Sequence, residues 1–288
     1  MAQPTYIRPE FPSDAFAGTA TYYAKYRPPY PAALVTDLLQ SARPAANGRL
    51  LDLASGPGRI AIPLAGHFGE VWAVDLEPEM IAVGEQEARQ RDVTNIRWIA
   101  GKAEELVAEP ASFDLITIGD AFHRLDQQLI AARCRQWLRP GGCLAILGCY
   151  GITKGSAPWQ RVVADTVRHW RNLSLPSAGR SDGPRPGKGA DHNAAVLRDT
   201  GFAEVAGYNF IHPHEWTIGS ILGHLYSTSH CSQRLLGKNA PAFERDLEQA
   251  LLKCDPSGRY HQDVDCGYTL GRKPGGAELS AGSAHDTC

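Results

Sequence analysis

The sequence predicts an α/β protein whose largely parallel sheet is covered by helices on both faces, and three observations predict it. Short apolar runs at Leu50–Leu53 and Val71–Asp75 open an alternation of strands with helices that continues to Tyr150. Leu50 to Gly58 (Leu-Leu-Asp-Leu-Ala-Ser-Gly-Pro-Gly) reads as a strand ending in a tight glycine turn, where a ligand can lie against bare backbone. An acid, Asp75, closes the next apolar run about twenty residues beyond the glycines, where a carboxylate can take both hydroxyls of a ribose.

In chain order, residues 1–30 are rich in proline and aromatic residues, including Tyr22, Tyr23, Tyr26 and Tyr30 around Arg27-Pro-Pro, and read as a capping segment. Pro31 to Gln40 opens a helix with proline in its first turn and an apolar face of Leu34, Leu38 and Leu39. After the glycine turn, Ile60 to Ala65 begins a helix that tolerates Pro63 because first-turn amides lack partners. Residues 31–150 form the core. Residues 151–190 interrupt the rhythm: Trp159 to Asn172 looks helical, and Ser177 to Gly189 holds six Gly or Pro in thirteen, which reads as a loop and the segment as a lid. The core resumes over 191–272, with a helix near His192–Thr200, a strand near Glu204–Ile211, helices near Ile218–Ser229 and Pro241–Lys253, and a strand near Asp263–Gly271. Residues 273–288 are small and polar and read as a disordered tail.

Gly-x-Gly alone is a weak signal, and the rest of this loop bears on the ligand. A pyrophosphate site favours Gly-x-Gly-x-x-Gly; here Ala61 takes the last position and Asp52 adds a negative charge, which suits a cationic ligand better. With Asp75, the chain resembles the class I S-adenosylmethionine-dependent methyltransferases. Asp52 to Gly58 resembles that family's first motif, and Ile96 to Glu104 its third strand and adenine turn, although Lys102 stands where aspartate is common. Ser112 to His123 is similar to the fourth strand and its active-site end, and Trp137 to Leu147 to the helix, Pro-Gly-Gly turn and fifth strand. The resemblance implies a Rossmann-like class I methyltransferase fold: a seven-stranded, mostly parallel sheet, with a lid insertion after the fifth strand and an antiparallel hairpin at the edge.

It also implies the cofactor S-adenosyl-L-methionine, the product S-adenosyl-L-homocysteine, and contacts from Arg27, Asp52, Ala54, Gly56, Gly58, Asp75, Leu76, Ala103, Glu104 and Asp120. Ligands of open α/β sheets bind beyond the carboxyl ends of the strands, so Asp120 and His123 are the catalytic candidates. Asp120 can hold an ammonium and His123 can accept a proton at neutral pH; alternatively Asp120 caps the next helix and His123 packs under the lid. Arg27 suits a two-point contact with the methionine carboxylate, or pairs with a surface acid. Asp14, Tyr22, Tyr23, Asp191 and His192 are the acceptor candidates, Asp191 equally as the cap of its helix.

The chain of 288 residues carries a net charge of -2, with no basic excess for nucleic acid, no long apolar segment for a membrane and no leader, so a small-molecule acceptor and a cytoplasmic location are expected. Seven scattered cysteines without a Cys-x-x-Cys pair argue against a disulfide framework or zinc knuckle, with Cys143 and Cys149 read as small apolar residues. His212-Pro-His214-Glu215, with His224 and His230 later, invites a metal reading but matches no metal spacing; His212 to Glu215 read as a loop leaving a strand, and no metal is expected. Within the family, Tyr23-Ala-Lys-Tyr-Arg-Pro-Pro-Tyr-Pro, Phe122 to Asp126 and Tyr226 to Ser229 resemble actinobacterial enzymes of specialised metabolism, among them the aminoglycoside N-methyltransferases of antibiotic biosynthesis. That likeness implies N-methylation of a polycationic amino sugar, held by Asp14, Asp120 or Asp191; the alternative is O-methylation of a hydroxyl or carboxylate metabolite.

Overall fold

Leu50, Leu51 and Leu53 are completely buried because both faces of their strand are covered. The computed structural model describes residues 14–149, 151–174 and 189–275. Seven strands form one sheet: β1 (Arg49–Leu53), β2 (Glu70–Asp75), β3 (Ile96–Ala100), β4 (Phe113–Gly119), β5 (Leu138–Cys149), β6 (Ala203–Thr217) and β7 (Arg259–Arg272). Their order is β3-β2-β1-β4-β5-β7-β6, parallel through β5 and antiparallel at β7 and β6.

Alternate strand residues feed two cores. Leu50, Ala73, Leu115 and Ala145 point to the face that also buries Leu34 and Leu38 of α2 (Ala32–Ala42) and Leu64 of α3 (Ala61–Leu64). Leu51, Val74, Ile116 and Leu144 point to the other, with Ile130 of α5 (Gln127–Trp137) and Leu197 of α7 (Ala190–Asp199). The remaining helices are α1 (Ala20–Tyr26), α4 (Pro78–Gln90), α6 (Pro158–Ser174), α8 (Ile218–Tyr226), α9 (Gln233–Leu236) and α10 (Ala240–Cys254).

A third core sits beyond the carboxyl ends of β4 and β5. It gathers Trp159, Val163 and Val167 of α6, Trp216 of β6, Ile221 and Leu225 of α8, Phe243, Leu247 and Leu251 of α10, and Tyr260 of β7. The helix of the expected lid is therefore anchored, with its apolar stripe packed on α10. Most of the expected Gly/Pro loop, the tail from residue 276, the first thirteen residues and Tyr150 lie outside the described residues.

Three expectations are corrected. His212 to Glu215 are not a loop: β6 continues to Thr217, pairing His212 with Val264 and Glu215 with His261, and Pro213 is tolerated because β6 is the edge strand. Asp191 is not the cap of α7; Gly189 holds that position and Asp191 lies in the first turn. Cys149 is not an isolated apolar residue: it faces Cys266 across β5 and β7 and forms a disulfide with it, spanning 117 positions of chain that no local cysteine pattern could reveal.

Candidate active site

The glycine loop leaves β1 through Ala54, Gly56 and Gly58, all with positive φ (52°, 55° and 81°). At Gly58 a side chain is excluded by space as well as by φ, since an added Cβ would lie 2.7 Å from Cη2 of Trp98 and 3.0 Å from Ile62. Asp52 is 1 % exposed; its carboxylate accepts from the Thr117 hydroxyl (2.8 Å) and from the Ala61 N–H (3.2 Å). It thus ties β1 to β4 and to the helix after the loop. Burial pushes its carboxyl up to about 7, against the pull of those two donors.

Asp75 ends β2 and faces the loop, accepting from the Gly56 N–H (2.7 Å) and the Glu77 N–H (2.9 Å). Burial raises its carboxyl while those two N–H groups oppose the rise. A carboxylate has about four lone-pair positions, so two bonds leave capacity for a diol. Leu76 is exposed beside it, and Ala103 is buried in a 3-10 turn with Glu104, whose Oε1 accepts from the Asp126 N–H (3.2 Å). Tyr23 of α1 lies over the loop, its ring 3.7 Å from where a Cβ on Gly56 would sit, and Gly18 N–H donates to Glu79 of α4 (2.7 Å). The N-terminal segment therefore covers the loop at its described end.

The second half of the site is a cleft at the carboxyl ends of β4 and β5. Arg27, Arg59, Asp120, Cys149, Trp216 and His224 line it. Asp120, with φ 53°, accepts from the Tyr30 hydroxyl (3.2 Å) and the Cys149 N–H (3.0 Å) and lies 3.6 Å from the Arg59 guanidinium. It does not cap α5; Asp126 does, accepting from the Leu129 N–H. Arg59 stacks over Tyr30 and Tyr23, donates to the Pro28 carbonyl, and has an Nε with no partner among the described residues. Its burial opposes the charge, but Tyr30, Tyr23 and Asp120 together hold its pKa above the usual arginine value. Arg27 donates to the Ser227 hydroxyl (2.8 Å) and stacks on Tyr23, and pairs with no acid among the described residues.

Sequence reasoning missed Arg59 and Trp216, and met His224 only among the metal candidates it set aside. Arg59 was legible as the basic residue directly after Gly58; the other two come to the cleft only through the third core. Other candidates are not brought to the cleft. His123 is half-buried on the turn after Asp120 and is not among the described lining residues. Tyr22 packs on Tyr26 and Tyr226, and Asp14 is paired with Arg234 (2.7 Å). Asp191 is exposed on α7, and His192 meets Gln127 (3.0 Å). Among the described residues no group of three His, Cys, Asp or Glu is placed to hold a metal. No described helix is long and apolar enough to cross a membrane.

The strand order and glycine loop define a Rossmann-like class I methyltransferase fold. Residues 50–142 match the family described as "Methyltransferase domain". The uncharacterized methyltransferase YcgJ of Bacillus subtilis is 30 % identical over 141 residues, covering 49 % of this chain and 53 % of YcgJ. Its crystal structure superposes with a TM-score of 0.53 at 20 % identity, over 85 % of this chain and 99 % of YcgJ. Phosphoethanolamine N-methyltransferase 2 of Haemonchus contortus, in complex with S-adenosylhomocysteine, gives a TM-score of 0.52 at 18 % identity, over 91 % and 57 % of the two chains. The cyclase SpnF gives 0.51 at 16 %, over 85 % and 82 %. The chain spans about half the length of YcgJ, the first of these curated relatives.

Proposed function

We propose that the chain is a class I S-adenosyl-L-methionine-dependent methyltransferase acting on a small molecule. The observation that carries this reading is the bare Gly56–Gly58 loop beneath Tyr23 with the Asp75 carboxylate beside it, inside the span that matches the methyltransferase domain. Asp75 would take the ribose hydroxyls, Leu76 and Ala103 flank the adenine, and Arg27 or Arg59 takes the methionine carboxylate. The donor, when bound, supplies an activated methyl group, so the protein's task is alignment, which can lower a barrier by about 7 to 11 kcal/mol. Tight binding of S-adenosylhomocysteine, lost in Asp75→Ala, is the expected calorimetric result; retained affinity in that variant refutes the assignment. SpnF has this fold and is named for cyclisation, so methyl transfer itself needs its own assay.

Two acceptors follow from different observations. The patterns at residues 23–31, 122–126 and 226–229 support an aminoglycoside amine, in antibiotic biosynthesis. The cleft favours a hydroxyl: it presents two guanidinium groups and one carboxylate already held by Tyr30 and Arg59, and Asp14 is engaged by Arg234, so little negative charge remains for a polycation. Incubation with donor, phenols and neamine, read by product mass, separates them: a methyl on neamine supports the amine, one on a phenol the hydroxyl.

A further inference from the structure

His224 is the one buried ionisable group at the described cleft that neither the fold nor the donor reading uses. Its ring is 5 % exposed and stands edge-on to Trp216, with centroids 5.1 Å apart and planes at 79°. It lines the cleft with Asp120, Arg27 and Arg59, and its Nδ1 has no hydrogen-bond partner among the described residues. A neutral imidazole carries one N–H and one lone pair. Polar atoms at such depth normally have partners, so the orphaned Nδ1 is unused bonding capacity on a residue that lines the cleft.

We propose that His224 is the proton acceptor for a hydroxyl nucleophile seated in this cleft. It rests on the methyltransferase reading and deepens its hydroxyl arm. The acceptor oxygen forms its bond to the methyl carbon as the carbon–sulfur bond breaks, the electron pair staying on sulfur; the hydroxyl proton passes to the imidazole and then to water. The groups facing the ring explain why it waits in the neutral form. Burial, Arg27, Arg59 and His230 hold its pKa well below the usual histidine value, the Tyr26 carbonyl opposes them, and Asp120 is the acid across the cleft. A base that is neutral before reaction is ready to receive a proton.

The test compares two acceptors in the full chain. Phenol, with a pKa of about 10 like tyrosine, needs a base, whereas 4-nitrophenol is already ionised at about pH 8. His224→Phe and the polar His224→Gln should lower kcat/KM on phenol a hundredfold or more, lower it less than fivefold on 4-nitrophenol, and leave S-adenosylhomocysteine affinity within threefold. Equal penalties on both acceptors, or none, overturn the proposal. The ring's charge in the S-adenosylhomocysteine complex, read by long-range 1H–15N correlation, is independent of turnover. A neutral ring at about pH 7 is expected, and an imidazolium overturns the proposal whatever the acceptors do. Failure of the wild type to bind S-adenosylhomocysteine would instead sink the methyltransferase reading.

Discussion

Replacing Asp52 by asparagine removes the most deeply buried carboxyl near the loop and with it a pH dependence of stability. The group is 1 % exposed and raised from 3.8 to about 7, so the folded state binds its proton more tightly than the unfolded state does. The resulting stabilisation is fully present below the unfolded pKa of about 4 and disappears as pH rises through about 7. With those two values, the wild type loses about 2.5 kcal/mol between about pH 5 and pH 8 from this group alone. For a urea slope of about 2 to 3 kcal/mol per molar, the midpoint falls by about 1 M. At about pH 5 the protonated carboxyl, like the asparagine amide, offers one donor and one acceptor, and the Thr117 hydroxyl can accept while the Ala61 N–H donates, so the variant should lie within about 1 kcal/mol of the wild type there. Its stability should vary much less with pH. Thr117→Val, which removes a donor that favours the anion, should shift the wild-type decline to higher pH. Urea titrations at several pH values measure both, and the reasoning fails if wild type and Asp52→Asn decline in parallel.

Gly58→Ala should cost about 2 kcal/mol or more, through positive φ and the 2.7 Å approach to Trp98, while Gly56→Ala, meeting only Tyr23 at 3.7 Å, should cost about 1 kcal/mol; equal melting temperatures for the two would contradict this. Arg59→Met keeps the stem but releases Asp120, and should weaken S-adenosylhomocysteine binding about tenfold by calorimetry, an unchanged affinity counting against a role for the guanidinium. Iodoacetamide under native, non-reducing conditions should label exposed Cys254 but not Cys149 or Cys266, which become reactive after reduction and denaturation; a native adduct at Cys266 would rule out the pairing.

The sheet and the glycine-loop half of the candidate site were legible because their signals are local. Leu50 to Gly58 encodes strand, turn and helix start in nine adjacent residues, and Asp75 follows at a spacing fixed by one helix. The cleft was harder to read because its chemistry comes from distant segments: Arg27 follows α1, Trp216 ends β6, and His224 lies within α8. Alternation would have revealed the far half of β6, where His212 and His214 flank Pro213, but proline reads as a break unless the strand is known to be an edge. Cys149 and Cys266 meet only because β7 inserts between β5 and β6, an order that no local pattern specifies.

That insertion divides β7 into two lengths. Cys266 to Arg272 lie between neighbours on both sides, while Arg259 to Asp265 pair with β6 alone and form a two-stranded ribbon reaching into the third core. The ribbon and α8 bring Trp216, Val264 and His224 to the cleft, yet none of them touches the stretch from Leu50 to Gly58 in sequence. The glycine loop and the part of the cleft carried by the ribbon and α8 thus come from separate stretches of the chain. Grafting residues 211–265 from a related chain is a rational way to exchange acceptor preference, with Cys266 to Arg272 left in place as the splice.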